Sequence, residues 1–379
     1  MRPARSERRG RRRSRGPLRW SLTLLSTLIT SLFLIGYLGR YIEPAPRIWW
    51  IQLVAIVLPY ATVAMIPVAA WKIMRGGSLS KLFAILLLVL GAARFLSPLV
   101  SSGSGYNPDT DFSLLSFNIP VERVDRVENG HDRLYELVKE TDAEIVCLQE
   151  SYWLYRVGPK ESKGRRDVSR LAELGYDLKP NVEHSFGAEQ VVVTTLPNDI
   201  VEYERKPSGP RDPDILGVLR SVISWQGRKF VVYNIHLASY GTSKPWHEST
   251  ESRFSPRVWY RYWREYRYAV LHRAWQAQQV RAMIESEALP YIVVGDFNAT
   301  AHNWSYWKIG NNLIDAFASA GSGFGLTYHQ RRPMFRIDFV LLSPHFEPTS
   351  ARSIAAGVSD HLAVNATIRW RDDADAEQE

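Results

Sequence analysis

The stretch Tyr291-Ile-Val-Val-Gly-Asp-Phe-Asn298 sets a short apolar run directly before two polar residues, Asp296 and Asn298. Tyr, Ile and Val favour strands, so the run predicts a buried strand that ends in a polar turn. An Asp-x-Asn sequence alone mostly makes a local turn, because Asx side chains bond their own backbone. Its meaning therefore depends on what the rest of the chain provides.

The same pattern, an apolar strand with polar residues at one end, recurs five more times between residues 112 and 370. These polar ends are Asn118, Gln149-Glu150, Asn234-Ile-His236, Arg336-Ile-Asp338 and Ser359-Asp360-His361. Helical stretches, notably Gly130–Glu140, Ser169–Leu174 and a long one from Ser255, separate the strands and predict a layered α/β domain. If the polar ends meet at one edge, their carboxylates repel each other unless a cation lies among them. Carboxylate and amide oxygens suit a hard ion such as Mg²⁺ rather than zinc.

In this order the six motifs resemble the endonuclease/exonuclease/phosphatase superfamily, which includes deoxyribonuclease I, exonuclease III and the sphingomyelinases. The resemblance covers residues 112–370 and implies a four-layer sandwich of two mixed β-sheets flanked by helices. It also implies a divalent metal, Mg²⁺ or Mn²⁺, and a set of site residues. The implied metal ligands are Glu150, Asn118 and Asp360, and the implied catalytic residues are Asp296, Asn298, Asp338, His361 and His236.

By this resemblance, Asp296 orients or deprotonates the attacking water and Asn298 binds the phosphate. His361 pairs with Asp338 and contacts the phosphoryl oxygens, while His236 serves as an acid. Asn234 is expected to contact the substrate. Phosphoryl transfer requires charge neutralisation, an aligned nucleophile and proton transfer, which these residue types can supply.

Residues 255–288 predict a long helix that begins with Ser255 at its N-cap and Pro256 at its first position. Arginines and aromatic residues crowd its first turns, and we expect Arg257 and Arg261 to bind substrate phosphates or lipid headgroups. The alternative is structural: the aromatic rings pack on a sheet and the arginines pair with acids.

Positive charge is concentrated at the N-terminus. The first 15 residues contribute +7 and residues 16–105 contribute +6 to a net charge of +8, which leaves −5 for residues 106–379. A bulk nucleic-acid binder would carry a basic surface, so the large domain lacks that electrostatic feature. The single cysteine, Cys147, excludes an intramolecular disulfide.

Three apolar stretches, 20–39, 49–71 and 82–100, are long enough to cross a membrane as helices. The positive-inside rule keeps the arginine-rich arm and the loop with Lys72, Arg75 and Lys81 in the cytoplasm. We therefore predict a basic cytoplasmic arm (1–17), three transmembrane helices (18–100), a linker (101–111), an extracytoplasmic catalytic domain (112–370) and an acidic tail (371–379). The expected setting is a bacterial cytoplasmic membrane.

The predicted function is that of a membrane-anchored, metal-dependent phosphoester hydrolase, most simply a phosphodiesterase. Its substrate would be extracytoplasmic nucleic acid, a phospholipid or another phosphoester, and no obligate protein partner is expected. The alternative is a membrane sensor or adaptor that binds a phosphorylated ligand without turnover.

Overall fold

A computed structural model describes residues 17–96, 103–124, 126–151, 171–177, 190–202, 217–240 and 254–371. The predicted basic arm and acidic tail, apart from Pro17 and Arg371, lie outside the described residues, as does the greater part of the loop between His236 and the long helix.

The N-terminal part is a small helical bundle. Its helices are α1 (Pro17–Gly39), α2 (Ile51–Ile56), α3 (Leu58–Arg75) and α4 (Ser78–Phe95). Two helices, over Trp20–Gly39 and Ser78–Phe95, are long and apolar enough to cross a membrane. The prediction of three such helices is therefore supported for two of its three stretches.

The middle stretch differs from the prediction because its helix is interrupted. Residues 51–56 and 58–75 form separate helices that meet at Val57. Pro59 has no N–H to donate to the preceding turn, so α2 cannot continue unbroken into α3. A second proline, Pro67, lies inside α3.

The bundle has a narrow core and an apolar outside. Phe33 of α1, Leu58 and Met65 of α3 and Leu87 of α4 are buried against one another. The outward faces carry exposed leucine, isoleucine and valine side chains such as Leu24, Val63, Leu82 and Ile85. A water-soluble bundle would place polar residues at such positions.

The part of the chain that follows the bundle contains two mixed sheets. The first has the order β10-β11-β1-β2-β3, where the strands are β1 (Asp111–Asn118), β2 (Ile145–Gln149), β3 (Val191–Thr194), β10 (Phe346–Ile354) and β11 (Ala363–Trp370). β1 and β2 are parallel, and the other neighbours are antiparallel.

The second sheet repeats this arrangement around a parallel pair. Its order is β4-β5-β6-β7-β9-β8, with β4 (Asn198–Glu202), β5 (Val218–Trp225), β6 (Arg228–His236), β7 (Tyr291–Asp296), β8 (Ile314–Asp315) and β9 (Asp338–Leu342). β6 and β7 are parallel, and the remaining pairs are antiparallel.

Helices accompany the two sheets, and the longer ones cover their outer faces. The helices are α5 (Val121–Val124), α6 (Gly130–Thr141), α7 (Pro256–Glu285), α8 (Trp304–Gly310) and α9 (Ala316–Ala320). The long helix ends at Glu285 rather than near residue 288, and the Ser255 side chain makes no capping hydrogen bond to the described residues.

Three buried clusters separate the layers. The central cluster includes Phe112, Ile145, Phe230 and Val294, which come from the inner faces of both sheets. A second cluster packs α6 on the first sheet, and a third packs α7 and α8 on the second. The result is the two mixed sheets flanked by helices that the sequence predicts.

Cys147 belongs to the central cluster and is fully buried. Burial raises the pKa of its thiol, so the residue is a small core side chain and not a nucleophile.

Candidate active site

The polar strand ends converge at one edge of the sandwich. β1, β2, β6 and β7 run in parallel pairs, so their carboxyl ends lie together. β9 runs the other way and starts there, with Asp338 directly opposite Asp296 in the ladder. His361 precedes β11, which begins at the same edge because it is antiparallel to β1. The topology therefore gathers residues that are far apart in sequence.

Asp296 is the centre of this cluster. Its Oδ2 accepts a hydrogen bond from Asn118 Nδ2 at 2.9 Å, and its Oδ1 accepts one from the backbone N–H of Asn298 at 2.7 Å. The Asn298 side chain donates to Asp296 Oδ2 at 3.2 Å and to the carbonyl of Leu237 at 2.9 Å. These bonds hold the carboxylate in one orientation.

Glu150 lies on the open side of the cluster. Its Oε1 accepts a hydrogen bond from Asn118 Nδ2 at 3.2 Å, and about a third of its side chain (31%) is exposed. Glu150 and Asn298 both have left-handed backbones, with φ of 54° and 47°. Residues other than glycine seldom adopt this conformation, and it is often found at functional sites.

Asn118 presents its amide oxygen without a protein partner. Its Nδ2 donates to both Glu150 and Asp296, whereas its Oδ1 is buried and accepts no hydrogen bond from the described residues. A buried acceptor without a partner costs free energy unless another group satisfies it. An oxygen-seeking cation would do so.

His361 and Asp338 form a buried pair. His361 Nδ1 lies 2.9 Å and 3.1 Å from the two carboxylate oxygens of Asp338. Burial alone would lower the pKa of His361, but the carboxylates of Asp338 and Asp296 raise it to about 9. The imidazole is therefore cationic at neutral pH, and its Nε2 faces Asp296 Oδ2 at 3.8 Å.

A second histidine approaches Asp296 from another strand. His236 Nε2 lies 3.8 Å from Asp296 Oδ2 and 3.7 Å from Glu150 Oε1. Burial and the neighbouring Asp338 raise the pKa of Asp296, while the two histidines lower it, and the balance is about 6. Asp296 is thus largely ionised at pH 7 and close to the range in which a carboxylate exchanges protons.

One ligand atom each from Asp296, Asp338 and His361 lies within 4.8 Å of the other two, so these residues could hold a metal ion. This group overlaps the predicted catalytic residues rather than the predicted metal ligands Glu150 and Asn118. The two groups are adjacent, because Asn118 bonds both Glu150 and Asp296.

Asp360, the third predicted metal ligand, lies at the margin of the cluster. Its Oδ2 forms an ion pair with Arg123 at 3.2 Å, and its backbone carbonyl accepts a bond from the Gln330 N–H. It is close enough to His361 to contribute to the raised pKa of that residue.

Asn234, the predicted substrate contact, joins the two sheets beneath the site. It is fully buried, and its Oδ1 accepts a hydrogen bond from Gln149 Nε2 at 2.7 Å. Its Nδ2 donates to the carbonyls of Leu148 and Val191 at 3.0 Å and 2.8 Å. Both ends of the amide bond protein groups, so this geometry gives no support to a substrate contact.

Arg257 and Arg261 lie in the first two turns of α7. Arg257 is exposed and Arg261 is half-buried. The segment 241–253, which would connect them to the site, lies outside the described residues, and their contact with substrate stays a prediction.

The comparisons with known proteins agree with this geometry. The sequence model of the Endonuclease/Exonuclease/phosphatase family matches residues 115–361. The chain belongs to this family. The matched range contains the strand ends from Asn118 to His361 and excludes the helical bundle, which the family model does not describe.

Several solved structures resemble this chain at low sequence identity. The human Nocturnin catalytic domain with bound sulfate is 17% identical, with a TM-score of 0.46, over 69% of this chain and 94% of that one. An endonuclease/exonuclease/phosphatase family protein from Bacteroides thetaiotaomicron is 18% identical, with a TM-score of 0.46, over 70% and 100%. Humanized D. rerio TDP2 is 15% identical, with a TM-score of 0.47, over 68% and 99%. No curated protein matches the chain.

The sequence alone does not indicate two residues of the site, Tyr328 and Ser359. The ring of Tyr328 lies 5.0 Å from that of His361, and its stretch of chain has no strand pattern that would have indicated it. Ser359 lies inside the Ser359-Asp360-His361 motif, but the family resemblance implies no role for it. Its hydroxyl donates to the Asn118 carbonyl at 2.6 Å and accepts from the His361 N–H at 3.0 Å, which fixes the two motifs to each other.

Proposed function

We propose that this protein is a membrane-anchored, divalent-metal-dependent phosphoester hydrolase, most simply a phosphodiesterase. Its substrate is extracytoplasmic nucleic acid, a phospholipid or another phosphoester. The observation that carries the proposal is the cluster around Asp296, in which an oriented carboxylate lies between two histidines and beside an unsatisfied amide oxygen. Family membership supports phosphoester hydrolysis as the reaction class.

Glu150 and Asn118 are the residues best suited to hold the metal. A carboxylate with an exposed edge and a buried amide oxygen are hard ligands, as Mg²⁺ and Mn²⁺ prefer. His361 suits a metal less well, because a protonated imidazole offers no lone pair to an ion. A divalent ion at this place would polarise the phosphoryl group and stabilise its developing negative charge.

Asp296 is the group that orients and deprotonates the attacking water. Hydrogen bonds from Asn118 and Asn298 fix its carboxylate, and its pKa of about 6 leaves it ionised at neutral pH but basic enough to accept a proton.

The two histidines serve the phosphate and the leaving group. His361 keeps its proton because Asp338 faces its Nδ1, so its Nε2–H can donate to a phosphoryl oxygen. His236 lies on the other side of Asp296 and can donate a proton to the departing oxygen. The family resemblance assigns the phosphate contact to Asn298, whose Nδ2 donates to Asp296 and to the carbonyl of Leu237 in this structure.

The bundle supports a membrane anchor with the catalytic domain on the far side from the N-terminus. Gly36 and Gly39 of α1 pack against Leu58 and Ala55, so α1 and α3 run in opposite directions, and a short turn then reverses the chain into α4. The carboxyl ends of α1 and α4 therefore lie at the same end of the bundle. The basic residues Lys72, Arg75 and Lys81 lie at the other end, beside the start of α1.

We propose that α3 crosses the membrane together with the two more apolar helices, α1 and α4, and that the basic end of the bundle lies in the cytoplasm. The 18 residues of α3 span about 27 Å, close to the ~30 Å of a hydrocarbon core. We accordingly propose an extracytoplasmic catalytic domain.

The test uses the full chain in lipid nanodiscs, with Mg²⁺ or with EDTA. The substrates are single- and double-stranded DNA, RNA, sphingomyelin, phosphatidylinositol phosphates and a bis-aryl phosphodiester. Asp296→Asn preserves the shape of the side chain but removes its basicity, and Asp109→Asn is the matched control at an exposed position outside the site. We expect metal-dependent cleavage that Asp296→Asn lowers about 10²–10⁴-fold and Asp109→Asn leaves unchanged.

Cleavage that survives Asp296→Asn would contradict the assignment of the base. A folded chain that binds metal and a phosphorylated ligand but cleaves none of the substrates would favour the sensor or adaptor instead.

A further inference from the structure

Exposed apolar side chains of the catalytic domain are concentrated at the start of α7. Among the described residues from Gly103 onward, eight large hydrophobic side chains are exposed, and five of them fall within residues 254–268. We call these five the aromatic face: Phe254, Trp259, Tyr260, Trp263 and Tyr268. A concentration of exposed apolar side chains in one segment indicates a site of contact with a partner or a membrane.

The aromatic face is continuous with the helical bundle. The ring of Trp49, just before α2, lies 6.3 Å from that of Trp263 and 5.9 Å from that of Tyr266. The neighbouring Trp50 is exposed. The apolar surface of the bundle therefore extends onto the catalytic domain at this point.

Tyr266, a buried residue of the same helix that contacts Trp263, connects the aromatic face to the rim of the active site. Tyr266 stacks on Tyr240 with ring centroids 4.4 Å apart, and Tyr240 lies four residues after His236. Arg273 holds this segment by donating to the carbonyl of Ala238 at 2.7 Å while its guanidinium covers the Tyr240 ring at 4.5 Å. Two ring contacts thus connect Trp49 of the bundle to the rim.

The bundle also contacts other loops at the same edge of the sandwich. Phe95, at the end of α4, lies 5.0 Å from the ring of His302, four residues after Asn298. The Tyr60 hydroxyl of α3 donates to the carbonyl of Met334, four residues before Asp338, at 3.4 Å. The site-bearing edge of the sandwich therefore faces the bundle.

We propose that the aromatic face of α7 is an interfacial membrane-binding surface, which lies in the headgroup layer beside the bundle and holds the active-site rim at the bilayer surface. Tryptophan and tyrosine favour this layer, because their rings are apolar and their N–H and O–H groups remain hydrated. The exposed side chains of Arg257, Arg264 and Arg267 on the same turns add attraction to anionic headgroups.

This inference rests on the proposed membrane anchor and deepens the proposed function. Phosphoesters carried by lipid headgroups of the same leaflet would reach the site without leaving the membrane. The partner of the aromatic face is the bilayer surface.

The position of the face relative to the bilayer can be measured with spin labels. Cys147 is fully buried, so a new surface cysteine can be labelled in the full chain without removing it. Three separate variants carry the label: Tyr260→Cys on the aromatic face, Leu86→Cys on the outside of α4, and Tyr106→Cys before β1, at the opposite edge of the sandwich. All three parent side chains are about half exposed or more: 69%, 49% and 50%.

Each labelled chain is placed in liposomes that contain anionic lipid, and the collision rates of the label with oxygen and with a water-soluble nickel chelate are compared. Oxygen concentrates in the bilayer and the nickel chelate in water. We expect the Tyr260→Cys and Leu86→Cys labels to favour oxygen and the Tyr106→Cys label to favour nickel.

The three labels separate the possible failures. A Tyr260→Cys label as accessible to nickel as the Tyr106→Cys label, with Leu86→Cys in the bilayer, overturns the interfacial surface but leaves the anchor intact. A Leu86→Cys label in water overturns the anchor and the interfacial surface together. Hydrolysis of a soluble phosphodiester by the unlabelled chain is measured in parallel. Its rate shows whether the proposed hydrolase activity holds, whatever the labels report.

A second readout uses the variants Tyr260→Ser and Tyr106→Ser. We expect Tyr260→Ser to lower hydrolysis of a bilayer-borne phosphoester while sparing the soluble substrate, and Tyr106→Ser to change neither. An equal loss on both substrates with Tyr260→Ser would mean that the residue acts on the fold or the chemistry and not at the membrane.

Discussion

One buried side chain, Gln52 of α2, joins the bundle to the catalytic domain through several hydrogen bonds. Its Nε2 donates to the carbonyls of Gly39 and Ile42 at 2.9 Å and 3.1 Å. Its Oε1 accepts hydrogen bonds from the backbone N–H of Trp304 at 2.9 Å and from Asn303 Nδ2 at 3.2 Å. We predict that Gln52→Leu, which keeps the bulk but removes these bonds, destabilises the chain substantially.

The magnitude follows from the groups that lose their partner. Asn303 Nδ2 keeps a bond to the backbone carbonyl of residue 52 at 2.9 Å, and the Gly39 carbonyl keeps a weak one from the Ile42 N–H at 3.4 Å. The buried backbone N–H of Trp304 loses its hydrogen-bond acceptor, and the carbonyls of Gly39 and Ile42 each lose one donor. At roughly 1–3 kcal/mol for a buried polar group without a partner, the loss is about 2–4 kcal/mol.

The assay compares Gln52→Leu with Gln278→Leu in the same detergent or nanodisc. Gln278 bonds Glu43 across the same interface at 2.7 Å, but this bond is exposed and its loss should cost little. At about 2–4 °C per kcal/mol, Gln52→Leu should lower the Tm of the catalytic domain by roughly 4–16 °C. Equal Tm values for the two variants would refute the view that Gln52 fastens the catalytic domain to the bundle.

The same substitution should also lower catalytic activity. Asn303 Oδ1 accepts bonds from the N–H and the hydroxyl of Thr300 at 2.8 Å, and Thr300 lies two residues after Asn298. Loosening this turn should lower kcat more in Gln52→Leu than in Gln278→Leu at a temperature where both variants are folded.

Three further predictions concern protons and metal. The pKa of His361 rises from 6.5 to about 9 on folding, so the stability that its protonation contributes is complete below pH 6.5 and is lost as the pH rises through 9. Asp338→Asn should therefore lower the free energy of unfolding by up to about 3 kcal/mol at pH 6 and by much less at pH 9.5. Urea unfolding at the two pH values measures this difference. Burial and nearby arginines lower the pKa of His302 from 6.5 to about 3, so the stability that the neutral imidazole contributes is complete above pH 6.5 and falls as the pH drops towards 3. Between pH 7 and pH 5 the free energy of unfolding of His302→Gln should therefore fall by about 2 kcal/mol less than that of the unsubstituted chain. An equal fall in both chains would contradict this. Mg²⁺ at 100 times its Kd should stabilise the chain by about 2.7 kcal/mol and raise its Tm. At the same Mg²⁺ concentration, Asn118→Ala should show a smaller rise in Tm. An equal rise in the variant would exclude the amide oxygen of Asn118 as a ligand.

Much of the fold follows from local sequence. The apolar runs before Asn118, Glu150, His236 and Asp296 are strands with buried residues throughout or nearly so, as their composition predicts. The order of their polar ends resembles that of the family, and the family model that matches residues 115–361 confirms this prediction. Periodicity and β propensity are properties of a few adjacent residues, so they are legible without the fold.

The break in the middle apolar stretch is also a local effect. Hydropathy alone joins residues 49–71 into one span, whereas Pro59 divides the helix at Val57. A window average of apolarity does not register the loss of a single backbone donor.

The sequence by itself determined the strand ends, the two most apolar helices and the residue types of the site. Only the tertiary structure decided what each polar group bonds: Asn234 ties the sheets together through Gln149, Asp360 pairs with Arg123, and Gln52 bonds Asn303 across 251 positions of chain. The physical reason is that strand and helix preferences depend on adjacent residues. A buried hydrogen bond, in contrast, depends on which distant surfaces pack together and exclude water.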